Sequence, residues 1–297
     1  MSTDTAGQGD MFGLPVDTAI AFCNHKGVYK RGIEKQQKKI YKKLTFLPQF
    51  LEQGEKILFV AAGCSPFTIL EQLFTGAILY SIKRCLFVFT DRRILHIPTK
   101  PDLTYRGSIA QILYSDCQEI RIRRGKLVAV YKSGKTEKFP AIPGQARKKI
   151  TELLKPISFE GQTSPMEERA HLCPRCTKPM LNGYYVCPHC ALEFKSKIKA
   201  RRISIIYPGG GYFYTRHIAL GILDAIGETM LLILLVVSLV NLIAGDPEAI
   251  TAVIVMAIML AFEKVLTVMH TDKFVEEFVP IDRRVTAQPG FTLPPTP

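Results

Sequence analysis

Two long apolar runs near the C-terminus constrain this chain more than any other feature of its sequence. The first lies within residues 225–244 and the second within residues 249–268, and a short polar turn at residues 245–248 joins them. Each run approaches the roughly 20 residues that a helix needs to cross a hydrocarbon core of about 30 Å. The pattern predicts a transmembrane helical hairpin, and two buried core helices of a soluble protein are the alternative.

Positive charge is distributed unevenly around these runs. The turn between them has only Asp246 and Glu248, whereas cations flank both runs on the other side. The cations are Lys195, Lys197, Lys199, Arg201, Arg202 and Arg216 before the first run and Lys273, Arg283 and Arg284 after the second. Because Lys and Arg are enriched in cytoplasmic segments, both ends of the hairpin are predicted to be cytoplasmic.

Four of the eight cysteines stand in two C-x-x-C pairs, Cys173/Cys176 and Cys187/Cys190. Each pair can place two thiolates on one tight turn, and two such turns complete a tetrahedral site for one structural Zn²⁺. The segment resembles a zinc ribbon, although Thr177 and Ala191 stand where a glycine is usual. A ribbon either binds nucleic acid or protein, or is only a small domain that the metal stabilises. His171 and His189 are conceivable substitute ligands.

The N-terminal sequence and the net charge indicate which compartment and which kind of partner to expect. Residues 1–13 have no basic start followed by an apolar core, so we expect no cleavable signal and a reducing environment for the thiols. The formal net charge of +13 predicts attraction to polyanions, which are either nucleic acid or an anionic membrane surface.

Residues 54–139 predict a meander of short strands. Apolar or alternating runs at 57–60, 85–90, 94–97, 119–123 and 127–131, and a last strand that ends at Phe139, are separated by tight turns. Residues 144–155 suit a closing helix. Over roughly residues 45–156 this pattern, with the stretch LFVFTDRRILHIP, resembles the bacterial pleckstrin-homology-like domains. The resemblance implies a β-sandwich or barrel with a C-terminal helix, and a bacterial source.

Three segments around this meander carry separate expectations. Residues 1–23 have weak periodicity and are predicted to be mostly irregular. Residues 24–43 contain eight Lys or Arg against one Glu and suit a basic amphipathic helix, which either packs on the next domain or lies on a membrane surface. Residues 65–83 are apolar and too long for a hairpin loop, so they form either an extra helix or a surface for a partner or the bilayer.

The segment before the first apolar run contains a glycine-rich motif. Its residues are Pro208, Gly209, Gly211 and Tyr214, and Gly221 follows. This pattern resembles the start of the two-transmembrane (TM-two-like) hairpin domains. We interpret it as a break at the membrane interface, with Tyr212 and Tyr214 at the level of the headgroups. A phosphate-binding loop would need a following Lys-Ser/Thr, which this segment lacks.

Charged residues near the inner ends of the runs form a possible intramembrane polar cluster. Its members are the acids Asp224, Glu228 and Glu263 and the cation Lys264. Glu228 and Glu263 are 18 and 17 residues from Asp246, so they are expected at matched depth near the cytoplasmic interface. Acids at such positions are functional candidates by default. The alternative is an interfacial cluster that Lys264 or Arg216 neutralises.

These patterns predict an α+β multidomain membrane protein. The predicted segments are 1–43, the pleckstrin-homology-like domain at 44–156, a linker at 157–170, the ribbon at 171–196, the hairpin at 197–272 and a tail at 273–297. The expected function is a non-enzymatic adaptor at the inner membrane that binds a protein partner, anionic lipid headgroups or another copy of itself. A membrane-anchored nucleic-acid-binding protein and a transporter or enzyme subunit that uses the hairpin acids are the alternatives.

Overall fold

The computed structural model describes residues 8–181 and 183–282, which form two compact units. The first unit extends to Glu193 and contains ten strands and five helices, and the second, Phe194–Ile281, contains four helices. The strands are β1 Gln8–Met11, β2 Leu14–Asp17, β3 Ile57–Cys64, β4 Arg84–Thr90, β5 Arg93–Pro98, β6 Ile109–Leu113, β7 Cys117–Arg123, β8 Lys126–Tyr131, β9 Thr136–Phe139 and β10 Ala170–Leu172. The helices are α1 Thr18–Ala21, α2 Arg31–Tyr41, α3 Ile69–Thr75, α4 Ile78–Ile82, α5 Gly144–Leu154, α6 Lys197–Ile206, α7 Gly210–Tyr214, α8 Ile218–Ile243 and α9 Ala249–Val275.

The strands of the first unit make two sheets. A mixed seven-stranded sheet has the order β1-β2-β3-β4-β5-β6-β10, and a three-stranded antiparallel sheet has the order β7-β8-β9. All neighbours in the larger sheet are antiparallel except β2 and β3, which meet in parallel at the single pair Val16–Ile57. The predicted α+β class is therefore confirmed.

The larger sheet has a separate apolar core on each face, because alternate residues of a strand point to opposite sides. In β4, Leu86 and Val88 belong to one core with residues of α1, α2 and the 3-10 turn Leu47–Phe50. Phe87 and Phe89 belong to the other core, which the three-stranded sheet and α5 complete. The near-continuous burial of β4 and β5 follows from this double coverage.

A buried ion pair fixes the turn between β4 and β5. Arg93, which is 5% exposed, donates to Glu55 through Nε at 3.0 Å and through Nη2 at 2.7 Å. Thr90 donates its hydroxyl to Glu55 at 2.8 Å and accepts the backbone N–H groups of Arg92 and Arg93. Burial acts to raise the pKa of Glu55, but the hydrogen bonds and charge of Arg93 outweigh it and hold that pKa below its usual value.

The N-terminal region differs from its prediction. Where residues 1–23 were expected to be mostly irregular, β1, β2 and α1 occupy Gln8–Met11, Leu14–Asp17 and Thr18–Ala21. Their periodicity is weak because each element is only four residues long. The basic helix begins at Arg31 rather than near residue 24, and it buries Ile40 and Tyr41 against the sheet. The packed-helix interpretation of residues 24–43 is therefore the one that the structure supports.

Other expectations concern the loops. Residues 65–83 contain helices α3 and α4, and α3 begins with a capping box between Thr68 and Glu71. Ile69 and Leu73 of α3 are 88% and 75% exposed, so a role of this segment in docking stays a prediction.

Strands β6 and β10 had not been predicted. Residues 170–172, which were assigned to the end of the linker and the start of the ribbon, form β10 and pair with β6 in the larger sheet.

The second unit contains the predicted hairpin. Helices α8 and α9 have 26 and 27 residues, and both are long and apolar enough to cross a membrane. Only 6% of the residues in the most apolar stretch of each helix are buried, which argues against core helices of a soluble protein. Helix α9 extends to Val275, and Phe194 bridges to Pro280, which both lie outside the predicted residues 197–272. Arg283 and Arg284 lie outside the described residues.

Candidate metal centre and membrane hairpin

The four predicted metal ligands lie together. The Sγ atoms of Cys173, Cys176, Cys187 and Cys190 are all within 4.8 Å of one another, and these cysteines form no disulfide. The Sγ–Sγ distances are 3.5 Å between Cys173 and Cys190 and 3.5 Å between Cys176 and Cys187. Four sulfurs around a tetrahedral Zn²⁺, with bonds of about 2.3 Å, lie about 3.8 Å apart. The donor set therefore fits a metal such as zinc.

Two equivalent turns hold the cysteines. In the first, the Cys173 N–H donates to the carbonyl of Lys178 at 2.9 Å, and the Thr177 N–H donates to the carbonyl of Cys173 at 2.8 Å. In the second, the corresponding bonds join Cys187 to Leu192 at 2.9 Å and Ala191 to Cys187 at 3.0 Å. The same backbone pattern thus presents both C-x-x-C pairs.

The residues that replace the usual glycines adopt the glycine conformation. Thr177 has φ of 60° and Ala191 has φ of 54°. A left-handed conformation costs a residue with a side chain about 1–2 kcal/mol. The replacement therefore leaves the turn geometry intact, but each turn carries strain that ligation of a metal can offset.

The two histidines near the ribbon are not in the thiol cluster. His171 lies in β10 and pairs with Ala110 of β6, and burial holds its pKa well below the usual range. His189 lies between the cysteines of the second pair but does not join the group of four sulfurs. Burial raises the pKa of the Cys176 thiol to about 11, so a metal must displace the proton of this thiol when it binds.

The glycine motif before the first span is a packing motif as well as a break. Gly209 has φ of 65°, and a Cβ there would lie 2.2 Å from the carbonyl oxygen of Gly221. At Gly211 a Cβ would lie 1.9 Å from the Ser204 hydroxyl and 2.6 Å from a methyl group of Thr271. Helix α7 therefore lies close to α6, α8 and α9, at distances that only glycine permits.

Pro208 and Tyr214 of the motif, and Tyr212 within it, make specific contacts that the sequence did not indicate. Pro208 directly precedes the left-handed Gly209, which is the N-cap residue of α7. The Tyr214 hydroxyl accepts the backbone N–H of Ser196 at 3.1 Å. Tyr212 is only 6% exposed and bonds His270 through its hydroxyl at 2.8 Å, so its aromatic ring packs inside the helical unit. Its level relative to the lipid headgroups stays a prediction.

The predicted acidic cluster is also brought together. Oxygen atoms of Asp224, Glu228 and Glu263 lie within 4.8 Å of one another. Lys264 is the cation that reaches them: it forms an ion pair with Glu228 and donates to the carbonyl of Ser204 at 2.7 Å. Arg216, the other candidate, donates to the carbonyl of Ile281 at 2.9 Å.

Hydrogen bonds tie this cluster to the segment before the first span. Thr267 lies 2.8 Å from Glu263 and 3.1 Å from Asp224 through its hydroxyl. The Gly209 N–H donates to Glu228, which is 2% exposed, at 3.4 Å. Glu228 thus links Gly209, at the start of the glycine motif, to Lys264 of α9.

Sequence reasoning missed a buried Ser–His pair. Ser65 Oγ lies 3.0 Å from His96 Nε2, and Arg169 Nη1 lies 3.2 Å from His96 Nδ1. Since Arg can only donate, Nδ1 accepts, and the proton of the neutral ring must be on Nε2. Burial, reinforced by Arg169, holds the pKa of His96 well below its usual value. In this tautomer His96 donates to Ser65 and cannot take its proton, and neither side chain is accessible. No sequence signal links Ser65, which directly follows β3, to His96 of β5, 31 residues later in the chain.

No protein-family model, curated protein or solved structure matches this chain.

Proposed function

We propose that this chain is a non-enzymatic integral membrane adaptor that holds a binding domain and a zinc ribbon at the cytoplasmic face of a bacterial inner membrane. The observation that carries the proposal is the combination of α8 and α9, two long apolar helices with exposed side chains, with a folded polar unit on the same chain. Such a chain localises its polar unit at a membrane, where binding of a protein partner or of lipid headgroups becomes its task.

The fold of the polar unit supports a pleckstrin-homology-like domain in this role. Strands β3 to β6 form an antiparallel meander, β7 to β9 form a second sheet, and α5 closes the shared core. Folds of this kind serve binding and scaffolding as well as other tasks, so the fold alone does not define the ligand.

The metal supports a structural role. Four thiolates complete a tetrahedral coordination sphere, which leaves no position for a reactive water. The zinc would be held by Cys173, Cys176, Cys187 and Cys190, and it would stabilise about 20 residues that bury few large side chains, among them Met180 and Leu192. The buried Ser65–His96 pair, with its tautomer set by Arg169, likewise favours a role in folding over one in catalysis.

The test is affinity purification of the tagged full-length chain from gently solubilised membranes after crosslinking in cells. The expected result is recovery from the membrane fraction after alkaline washing, with one or more proteins enriched over a control. The matched control is a tagged chain in which residues 1–193 are replaced by an unrelated soluble domain on the same hairpin. Recovery in the soluble fraction, or the same co-purifying proteins with both chains, would contradict the adaptor.

A further inference from the structure

The first unit has a large cleft between α2, β3 and α5. Its volume is about 1300 Å³, which exceeds the roughly 300–1,000 Å³ of sites for small molecules. Its floor is apolar and includes Phe59, Val60 and Ile40. A ligand longer than a single headgroup or nucleotide therefore suits it.

The charge of the cleft has one sign. Five Lys or Arg side chains and one His are among its lining residues, and no Asp or Glu is found among them. Lys149 is already engaged, because it donates to the carbonyls of Ile20, Ala21 and Cys23 at the end of α1. The other four are Lys30 and Arg31 on the α2 side and Arg147 and Lys148 on the α5 side.

Arg147 is the best placed of these cations. Its Nε is buried and has no hydrogen-bond partner among the described residues. Leaving a buried charged donor unpaired is costly, so an acceptor from a ligand would relieve that cost. Helix α5 begins at Gly144 in the same cleft, with no side-chain cap and no acid in its first turn, and its dipole adds positive potential.

One edge of strand β3 borders the cleft, and of its residues there Ala62 is the one that is partly exposed. Four consecutive residues of β3, Phe59 to Ala62, line it, which is the signature of an edge rather than a face. Beyond its pair with Val16 at Ile57, β3 has no strand partner on this side in the described part of the chain. The Gln37 side chain takes the place of a strand at Val60, donating to its carbonyl at 2.8 Å and accepting its N–H at 3.1 Å.

The next peptide group on this edge is oriented for a partner. The Cys64 N–H points away from β4, because it donates to the carbonyl of Pro140 at 3.0 Å. Since backbone groups along a strand alternate with a period of two, Ala62, midway between Val60 and Cys64, directs its N–H and C=O to the same side. That side is the cleft.

We propose that this cleft binds an extended acidic peptide segment of a protein partner, with its backbone along β3 and its carboxylates on the cations of α2 and α5. Addition of a peptide to a sheet edge is a general mode of recognition, in which backbone bonds supply affinity and side chains supply specificity. A peptide offers a backbone N–H and C=O that match those of Ala62, which a lipid headgroup cannot do. The inference rests on the proposed adaptor function in taking a protein as the partner.

The test uses the full-length protein in detergent micelles and a fluorescent ten-residue peptide that alternates Glu and Val. The protein should bind this peptide with an affinity that falls as salt rises. Arg147→Glu with Lys148→Glu should weaken binding at least tenfold. The matched control, Lys100→Glu with Lys138→Glu, changes net charge equally at exposed positions outside the cleft and should stay within twofold of the wild type.

Several outcomes would overturn the inference. These are the absence of peptide binding by the wild type, equal losses in the two variants, and equal binding of a Gln–Val peptide. Preferential, cleft-dependent binding of phosphatidylglycerol vesicles or of oligothymidylate would assign the cleft to lipid or nucleic acid instead. As a safeguard against misfolding, a photoreactive version of the peptide should crosslink to residues 30–40 and 143–151 of the wild type, and crosslinks elsewhere would contradict the placement.

The same variants separate this inference from the adaptor function. If the Arg147/Lys148 variant still recovers the wild-type partners from membranes, the adaptor stands and the cleft is not its binding site. If the wild-type chain itself recovers no partner, the adaptor does not act on a protein, whatever the peptide does.

Discussion

Replacement of Gly209 by alanine is expected to destabilise the helical unit far more than the same change at Gly227. Gly209 has φ of 65°, and its new Cβ would meet the carbonyl oxygen of Gly221 at 2.2 Å. The conformation costs about 1–2 kcal/mol and the overpacking about 1–3 kcal/mol, which gives about 2–5 kcal/mol together. At Gly227 nothing lies within 4 Å, so alanine should stabilise α8 by about 0.5–1 kcal/mol.

The measurement is unfolding of the full-length protein in mixed micelles with increasing dodecyl sulfate, followed by far-ultraviolet circular dichroism. The chain has no tryptophan, so helix content is the more useful signal. A shift of the helical transition to lower denaturant for Gly209→Ala, with an opposite or negligible shift for Gly227→Ala, is expected. Equal shifts would refute the close packing of α7 on α8.

Three further predictions test the buried polar groups and the metal. Glu55→Gln should cost up to about 3–5 kcal/mol in denaturant unfolding, because it removes the buried carboxylate that pairs with Arg93 and leaves Arg93 with the exposed Glu52 at 3.5 Å. Since the pKa of Glu55 is lowered on folding, the wild-type advantage should shrink as the pH falls below the usual value of 4.5, and a pH-independent difference would contradict this. Purified protein should contain about one Zn²⁺ per chain by elemental analysis. Cys173→Ser should abolish zinc binding, whereas Cys85→Ser, at a core position, should not. Metal-free protein from unchelated preparations would contradict the zinc assignment. Lys264→Met should reduce the amount of folded protein in membranes more than the double variant Glu228→Gln with Glu263→Gln does. The reason is that the lysine change removes the cation that faces the three acids. A larger loss in the double variant would show that the acids themselves are needed.

The features that could be predicted from sequence are those in which a local pattern fixes the structure. A run of about 20 apolar residues leaves few choices other than a long helix, and α8 and α9 bear this out. Two C-x-x-C turns need only to approach each other, and the structure places all four sulfurs within 4.8 Å. Helix α5 has the expected bounds because its apolar residues recur at helical spacing.

The elements that were missed depend on distant partners. Strands β1, β2 and β10 have three or four residues each, which is too short for a periodic signal, and each exists because another strand pairs with it. The basic segment was ambiguous for the same reason. The charges of α2 suit a membrane surface and a solvated face equally, and only the burial of Ile40 and Tyr41 in the core distinguishes them.

By itself, the sequence determined the kinds of parts in this protein: two apolar helices, a group of four thiols, a meander of strands and an excess of positive charge. Only the tertiary structure decided what the individual charged residues do. Lys149 binds carbonyls at the end of α1, Lys264 pairs with Glu228, Arg93 holds Glu55, and Arg147 is left with an unpaired buried nitrogen in a cleft. The physical reason is that hydrophobicity and metal ligation act through residue type and spacing, whereas the role of a charge depends on which groups folding brings within hydrogen-bond distance.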